Sequence, residues 1–202
     1  MTVRIGITGT HCSGKSTLLN DLHEDFPSVP VITGVADRYP RADRNNMETQ
    51  LNICLDQIQA EKLARARIDD DGSVGGFISD RTVIDNLAYS YMCRDANMRG
   101  KDSFAACAIY QQIKETVMSY VWTNPYDLVI FVDEYFPIED NETRCISKSA
   151  QKFVYEFINR FVTDWKEATI EKGRVCPVIR VKGSREERVE MVKKYVRTVK
   201  QN

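Results

Sequence analysis

The chain has 202 residues, 43% hydrophobic and 28% charged, which fits one compact soluble domain and excludes disordered, collagen-like and coiled-coil classes. Lys plus Arg number 28 against 29 Asp plus Glu, so the formal charge of -1 gives no global attraction to nucleic acid or anionic membrane, and any polyanion must be met locally. Six cysteines (Cys12, Cys54, Cys93, Cys107, Cys145 and Cys176) form no CxxC pair or zinc spacing and read as free thiols in a reducing compartment; with no signal-peptide pattern and no membrane-length apolar run, the expected location is cytoplasmic.

Short apolar runs alternate with longer segments of helical period, the pattern of a parallel α/β sheet. Residues 3–8 (VRIGIT) predict the first strand, and a glycine-rich turn leads into a helix over 15–24 that Pro27 ends. Residues 30–35 predict a second strand, weakened by Gly34. Met47, Leu51, Leu55, Ile58 and Leu63 recur at near-helical spacing through a long helix to about Ile68, where DDDGSVGG breaks it. Residues 74–79 predict a third strand, followed by helices over 83–92 and 104–121. The run DLVIFV over 127–132 is the clearest strand, apolar enough to be buried on both faces. A polar loop, PIEDNETR, then leads to an amphipathic helix over 149–172 and a last strand over 177–181. Ser184 and Glu187 form a capping box for a C-terminal helix with Val189, Val192, Val196 and Val199 on its apolar face.

The turn after the first strand, GTHCSGKST over 9–17, contains G-x-x-x-x-G-K-[ST] between a predicted strand and a predicted helix, which is the context a phosphate-binding loop requires. Such a loop turns successive backbone N–H groups inward around a phosphate and needs glycine where φ is unusual, here Gly9 and Gly14. Thr10, His11, Cys12 and Ser13 contribute chiefly backbone amides, with recruitment of His11 or Cys12 for chemistry as the alternative. The following helix offers its unpaired N-terminal amides and positive dipole end to the same anion. Lys15 is placed to reach the β and γ phosphates of ATP, and Ser16 to bind Mg²⁺. Thr17 belongs to the same nucleotide-binding stretch and reads as packing or capping. The expected fold is therefore α/β: a three-layer P-loop NTPase, a five-stranded parallel sheet with helices on both faces, forming one domain over 1–202 with a lid near 134–150.

Ligands of an open parallel sheet gather at the C-terminal strand ends. Asp80 is a candidate for the Mg²⁺ hydration shell, for orienting a substrate hydroxyl, or for capping the next helix near Thr82. Arg81 carries a planar fork suited to a phosphate oxygen. Asp37 stands where a base would accept the proton of an attacking hydroxyl, with a solvated loop carboxylate as the alternative. Arg38, Arg41 and Arg44 form a local positive cluster able to hold an acceptor phosphate. Arg144, with Lys148 behind it, falls in the loop where a lid arginine would stabilise the transferred phosphoryl group. Asp133, Glu134 and Glu139 suggest only strand-end capping or a remote metal contact.

Taken together, ITGTHCSGKST, SDRTVIDNLAY, and YDLVIF followed by EDNETR resemble, in matching order over nearly the whole chain, a family of small P-loop kinases that includes bacterial ribosylnicotinamide kinase domains. The resemblance implies that Gly14, Lys15, Ser16 and Thr17 bind the nucleoside triphosphate and Mg²⁺, that Asp80 and Arg81 lie at the catalytic centre, and that Arg144 is the lid arginine. The family tends to place a glutamate ahead of an arginine after the second strand, whereas Val35, Ala36 and Asp37 precede Arg38 here, so base and acceptor both stay open. The Asp-Arg pair is also similar to that of thymidylate kinases. The expected activity is transfer of the γ-phosphoryl group of ATP to a nucleoside or nucleoside monophosphate. A polynucleotide or DNA-base kinase and a non-transferring ATPase switch are the alternatives, and the absence of N-K-x-D argues against a Ras-type GTPase. The expected partner is a small acceptor, with no membrane, nucleic acid disfavoured by the neutral charge, and a homodimer left open.

Overall fold

The computed structural model describes residues 3–67, 75–98, 103–136, 147–171 and 176–199. Strands β1 (Arg4–Thr8), β2 (Val31–Ile32), β3 (Phe77–Asp80), β4 (Leu128–Val132) and β5 (Val178–Val181) lie in the order β2-β3-β1-β4-β5, every pairing parallel. Helices α1 (Lys15–Asp25), α2 (Met47–Ala66), α3 (Val83–Asn97), α4 (Ser103–Thr123), α5 (Lys148–Glu171) and α6 (Arg185–Val199) make the crossovers. The strand order reverses at β1, so the loop after β1 sits at the switch point where such sheets bind ligands.

The pleat sorts the core into layers. Ile5, Ile7, Ile78, Leu128, Ile130 and Val132 face α1 and α6 and pack on Leu18, Leu22, Val192 and Val196. Phe77 and Val129 face the other way, toward α2, α3 and α4, while Phe131 packs against α3 and α5. β4 is buried along its whole length, as a central parallel strand requires. Gly6 keeps this second face open: a Cβ there would stand 2.5 Å from Thr82 Cγ2 and 3.2 Å from the Tyr126 ring. Its lack of a side chain lets the N-terminus of α3 close onto β1.

Several expectations change in detail. The second strand is two residues long, because Gly34 at φ 65° turns the chain into a 3₁₀ turn over Ala36–Arg38. The third starts at Phe77, after Gly76 has passed so close to β1 that a Cβ would lie 2.4 Å from the Val3 carbonyl oxygen. The helix from Met47 is real, but Leu55 and Leu63 are exposed. Its buried row is Met47, Gln50, Ile53, Cys54, Gln57, Ile58 and Glu61, three of the seven polar. Glu61 explains this. Its carboxylate accepts hydrogen bonds from Tyr120 Oη (2.9 Å), Tyr126 Oη (2.8 Å) and Gln57 Nε2 (2.9 Å), and Gln57 also donates to Ser79 Oγ on β3. Burial pushes the Glu61 carboxyl up to about 6, opposed by those three donors.

The Ser184–Glu187 capping box forms as expected, Ser184 N–H donating to Glu187 Oε2 at 2.7 Å and Glu187 N–H to Ser184 Oγ at 3.2 Å. The five cysteines among the described residues form no disulfide, and burial pushes Cys54 up to about 12 and Cys93 and Cys176 up to about 11; Cys145 lies outside the described residues. Among the described residues, no helix is long and apolar enough to cross a membrane.

Candidate active site

The loop between β1 and α1 has the backbone its glycines forecast. Gly9 (φ 152°), Cys12 (φ 56°) and Gly14 (φ 86°) adopt positive φ, and α1 starts at Lys15. Three loop carbonyls are taken up by groups from outside the loop. His11 C=O accepts from Gln151 Nε2 (2.8 Å), Cys12 C=O from Phe136 N–H (2.8 Å), and Ser13 C=O from Arg188 Nη1 (2.7 Å). In a planar trans peptide the N–H points opposite to the C=O, so the amides of Cys12, Ser13 and Gly14 face away from those anchors, into the cradle. Gly9 N–H is held separately by the buried Asp85 carboxylate at 3.3 Å. The cradle is thus set in place before any anion enters, which removes an ordering cost from binding.

Lys15 is buried and lies across the loop, its ammonium donating to Thr10 C=O (2.6 Å) and Ser13 Oγ (3.2 Å). Burial, with the nearby Arg81 charge, lowers it to about 8. An arriving phosphate reverses that balance by supplying the counter-charge.

The next residue, Ser16, is exposed and donates through Oγ to Asp80 Oδ2 at 2.5 Å. Asp80 Oδ1 is buried with no hydrogen-bond donor among the described residues. A hydroxyl and a carboxylate meeting at the head of α1, one carboxylate oxygen still unused, fit a hard cation that keeps most of its water and shares phosphate oxygens. Among the described residues no cluster of three or more His, Cys, Asp or Glu could hold a metal ion. Thr17 is exposed on the first turn of α1 and packs against no core, contrary to the packing expectation.

Arg81 follows Asp80 at φ 92°, a left-handed conformation costly for a residue with a side chain. It sits over the Tyr89 ring, 5.1 Å from its centroid, and brings Nη2 to 3.4 Å from His11 Nδ1; the His11 and Tyr89 rings are 4.9 Å apart. The helix cap proposed for Asp80 belongs instead to Thr82, in a capping box with Asp85. Asp85 therefore has two tasks, stabilising α3 and tying the loop to the Asp80-Arg81 turn. A Thr-x-x-Asp pattern at 82–85 was its only local signal.

Other candidates separate. Asp37 is largely exposed and paired with Arg44 at 3.2 Å. Arg44 also donates twice to Tyr39 C=O, so it fixes its own loop rather than offering a free cation, whereas Arg38 and Arg41 are exposed. Asp133 accepts from Tyr155 Oη and Arg180 Nη1, at the far side of β4. Lys148 is exposed at the start of α5. Arg144, Glu139 and the centre of the expected lid lie outside the described residues. The segments flanking them, ending at Phe136 and resuming before Gln151, are joined to each other and to the loop, since Gln151 Nε2 also donates to Phe136 C=O at 2.9 Å. Beyond the loop, a cavity of about 810 Å³ opens beside Glu134, Lys182, Gly183 and Glu187.

An AAA domain family model matches residues 4–188, and the chain belongs to that family. A search of curated proteins finds no match. Among solved structures, deoxyadenosine kinase from M. mycoides with bound dATP is 14% identical, with a TM-score of 0.63 over 96% of this chain and 99% of that one. NadR protein in complex with NAD and AMP-PNP is likewise 14% identical, with a TM-score of 0.64 over 96% of this chain and 49% of NadR, so the chain spans about half of NadR's length. At these identities the likeness establishes the shared three-layer fold.

Proposed function

We propose that the protein is an ATP-dependent phosphotransferase that moves the γ-phosphoryl group of ATP to a nucleoside or nucleoside monophosphate. The observation that carries this reading is the anchored phosphate loop facing Asp80 and Arg81, with Lys15 inside the loop and the Ser16–Asp80 contact at its mouth. Family membership and the shared fold support it.

The loop amides and Lys15 hold the donor's β and γ phosphates, and the cavity beside Gly183 gives its nucleoside end room. Ser16 and Asp80 are the residues that would hold Mg²⁺, which when bound offsets phosphate charge and orients the donor. Arg81, clamped by Tyr89 and held near His11, points a fixed cation at the region where donor and acceptor meet. An acceptor hydroxyl attacks phosphorus, the bond from phosphorus to the bridging oxygen breaks, ADP leaves, and the hydroxyl proton passes to a carboxylate, Asp37 or Asp80. A monophosphate acceptor attacks as an anion and needs no such base. A lid near 134–150, whose Arg144 lies outside the described residues, would supply a further cation to the transferred group.

The protein is incubated with γ-labelled ATP and a panel of nucleosides, nucleoside monophosphates and oligonucleotides. Label on a nucleoside or monophosphate is the expected result. Label on oligonucleotides alone favours the polynucleotide-kinase alternative, and free phosphate with every acceptor overturns the kinase reading.

A further inference from the structure

We propose that Arg188 is a positioning residue for the donor phosphates, acting through the Ser13–Gly14 peptide, a role that rests on the ATP-binding reading above. Arg188 lies in the first turns of α6, 175 residues from its partner in the loop, and is 5% exposed. Its three kinds of nitrogen meet three acceptors: Nε donates to Gly183 C=O (2.9 Å), Nη1 to Ser13 C=O (2.7 Å) and Nη2 to Glu134 Oε2 (2.9 Å). Glu134 in turn accepts from Gly183 N–H at 3.0 Å. A guanidinium fork fits this arrangement and an ammonium does not.

The same peptide whose oxygen Arg188 grips carries the Gly14 N–H into the cradle. A charge-assisted bond on a carbonyl draws electron density through the peptide and strengthens its N–H as a donor. Arg188 therefore lends positive character to the cradle without entering it. Its approach also bears on Gly14: a Cβ there would stand 2.9 Å from Arg188 Nη1, besides facing a φ of 86°. Docking of α6 does not depend on this contact, because Arg185 pairs with Asp21, Lys193 with Asp25 at 2.8 Å, and Val192 and Val196 are buried in the core.

The test compares Arg188→Gln, Arg188→Lys and a helix-docking control, Asp21→Asn, by calorimetric titration of the full chain with ATP and Mg²⁺, alongside thermal melting. The expected result is a loss of ATP affinity of about 10- to 100-fold for Arg188→Gln, a smaller loss for Arg188→Lys, and less than about twofold for Asp21→Asn although its melting temperature falls. Should Arg188→Gln fail to fold, Arg188→Lys decides on the same scale. Unchanged ATP affinity in the Arg188 variants, or an equal loss in Asp21→Asn, overturns the role. A wild-type chain that binds no ATP overturns the ATP reading together with it, and so is distinguishable from failure of Arg188 alone.

Discussion

Lys15 pays a desolvation cost in the free loop that a phosphate relieves, which makes binding pH-dependent in a stated direction. Its lowered value, about 8, means that it loses its proton over about pH 7 to 9, and phosphate binding pulls that proton back. At pH 8.5, calorimetric titration with ATP in buffers of differing ionisation enthalpy is expected to register net proton uptake, and affinity to rise as pH falls from 9 toward 7.5. Lys15→Ala is expected to remove both the uptake and phosphoryl transfer. For Asp37, Asn substitution should depress transfer to a nucleoside far more than to a monophosphate, because only the hydroxyl acceptor needs a base. Equal losses would leave Asp80 as the base. At this scale the sequence disclosed the loop, Lys15, Ser16 and the Asp80-Arg81 pair because each follows its strand at a fixed offset. Asp85, Gln151 and Arg188 were hidden because what they do depends on partners 76, 140 and 175 residues away, which no local spacing encodes.

The elements show where pattern reading fails and why. The period of α2 is helical and its stripe names Met47, Leu51 and Ile58 correctly as core-facing, but it also takes in Leu55 and Leu63, which face outward, and misses Gln57 and Glu61, which are buried as a satisfied network. A buried carboxylate with three donors looks like a solvated one in sequence. Its raised value means the folded state holds more protons than the unfolded state between pH 4.5 and 6, so this group withdraws about 2 kcal/mol of stability as pH rises through that window. Glu61→Gln is expected to flatten that slope in denaturant unfolding followed against pH, while Glu61→Ala strands two tyrosine hydroxyls and an amide and costs about 2–4 kcal/mol. The contact between β1 and α3 is similarly tight. Gly6→Ala should cost about 1–3 kcal/mol in the same assay and lower activity as well, because the displaced Thr82 turn carries Arg81.

For the whole molecule, near-neutral charge conceals local convergence. Lys15 and Arg81 gather at the switch point between β3 and β1, and Arg188 reaches the loop from behind, each drawn there by topology rather than by proximity in the chain. The layer order follows from alternating apolar and helical runs, which is why fold class was legible while the extent of β2 was not: a two-residue edge strand beside Gly34 leaves almost no periodic signal. The arginine-rich loop after β2 contributes less free charge than its composition suggests, with Arg44 committed to Asp37 and Tyr39. Arg38 and Arg41 in the same loop stay exposed. The most direct measurement is a single-turnover reaction of enzyme with γ-labelled ATP, Mg²⁺ and the best nucleoside or monophosphate acceptor, partitioning label between acceptor and inorganic phosphate. The account predicts label predominantly on the acceptor, abolished by Lys15→Ala. Label released only as inorganic phosphate, or transfer that survives Lys15→Ala, would contradict it.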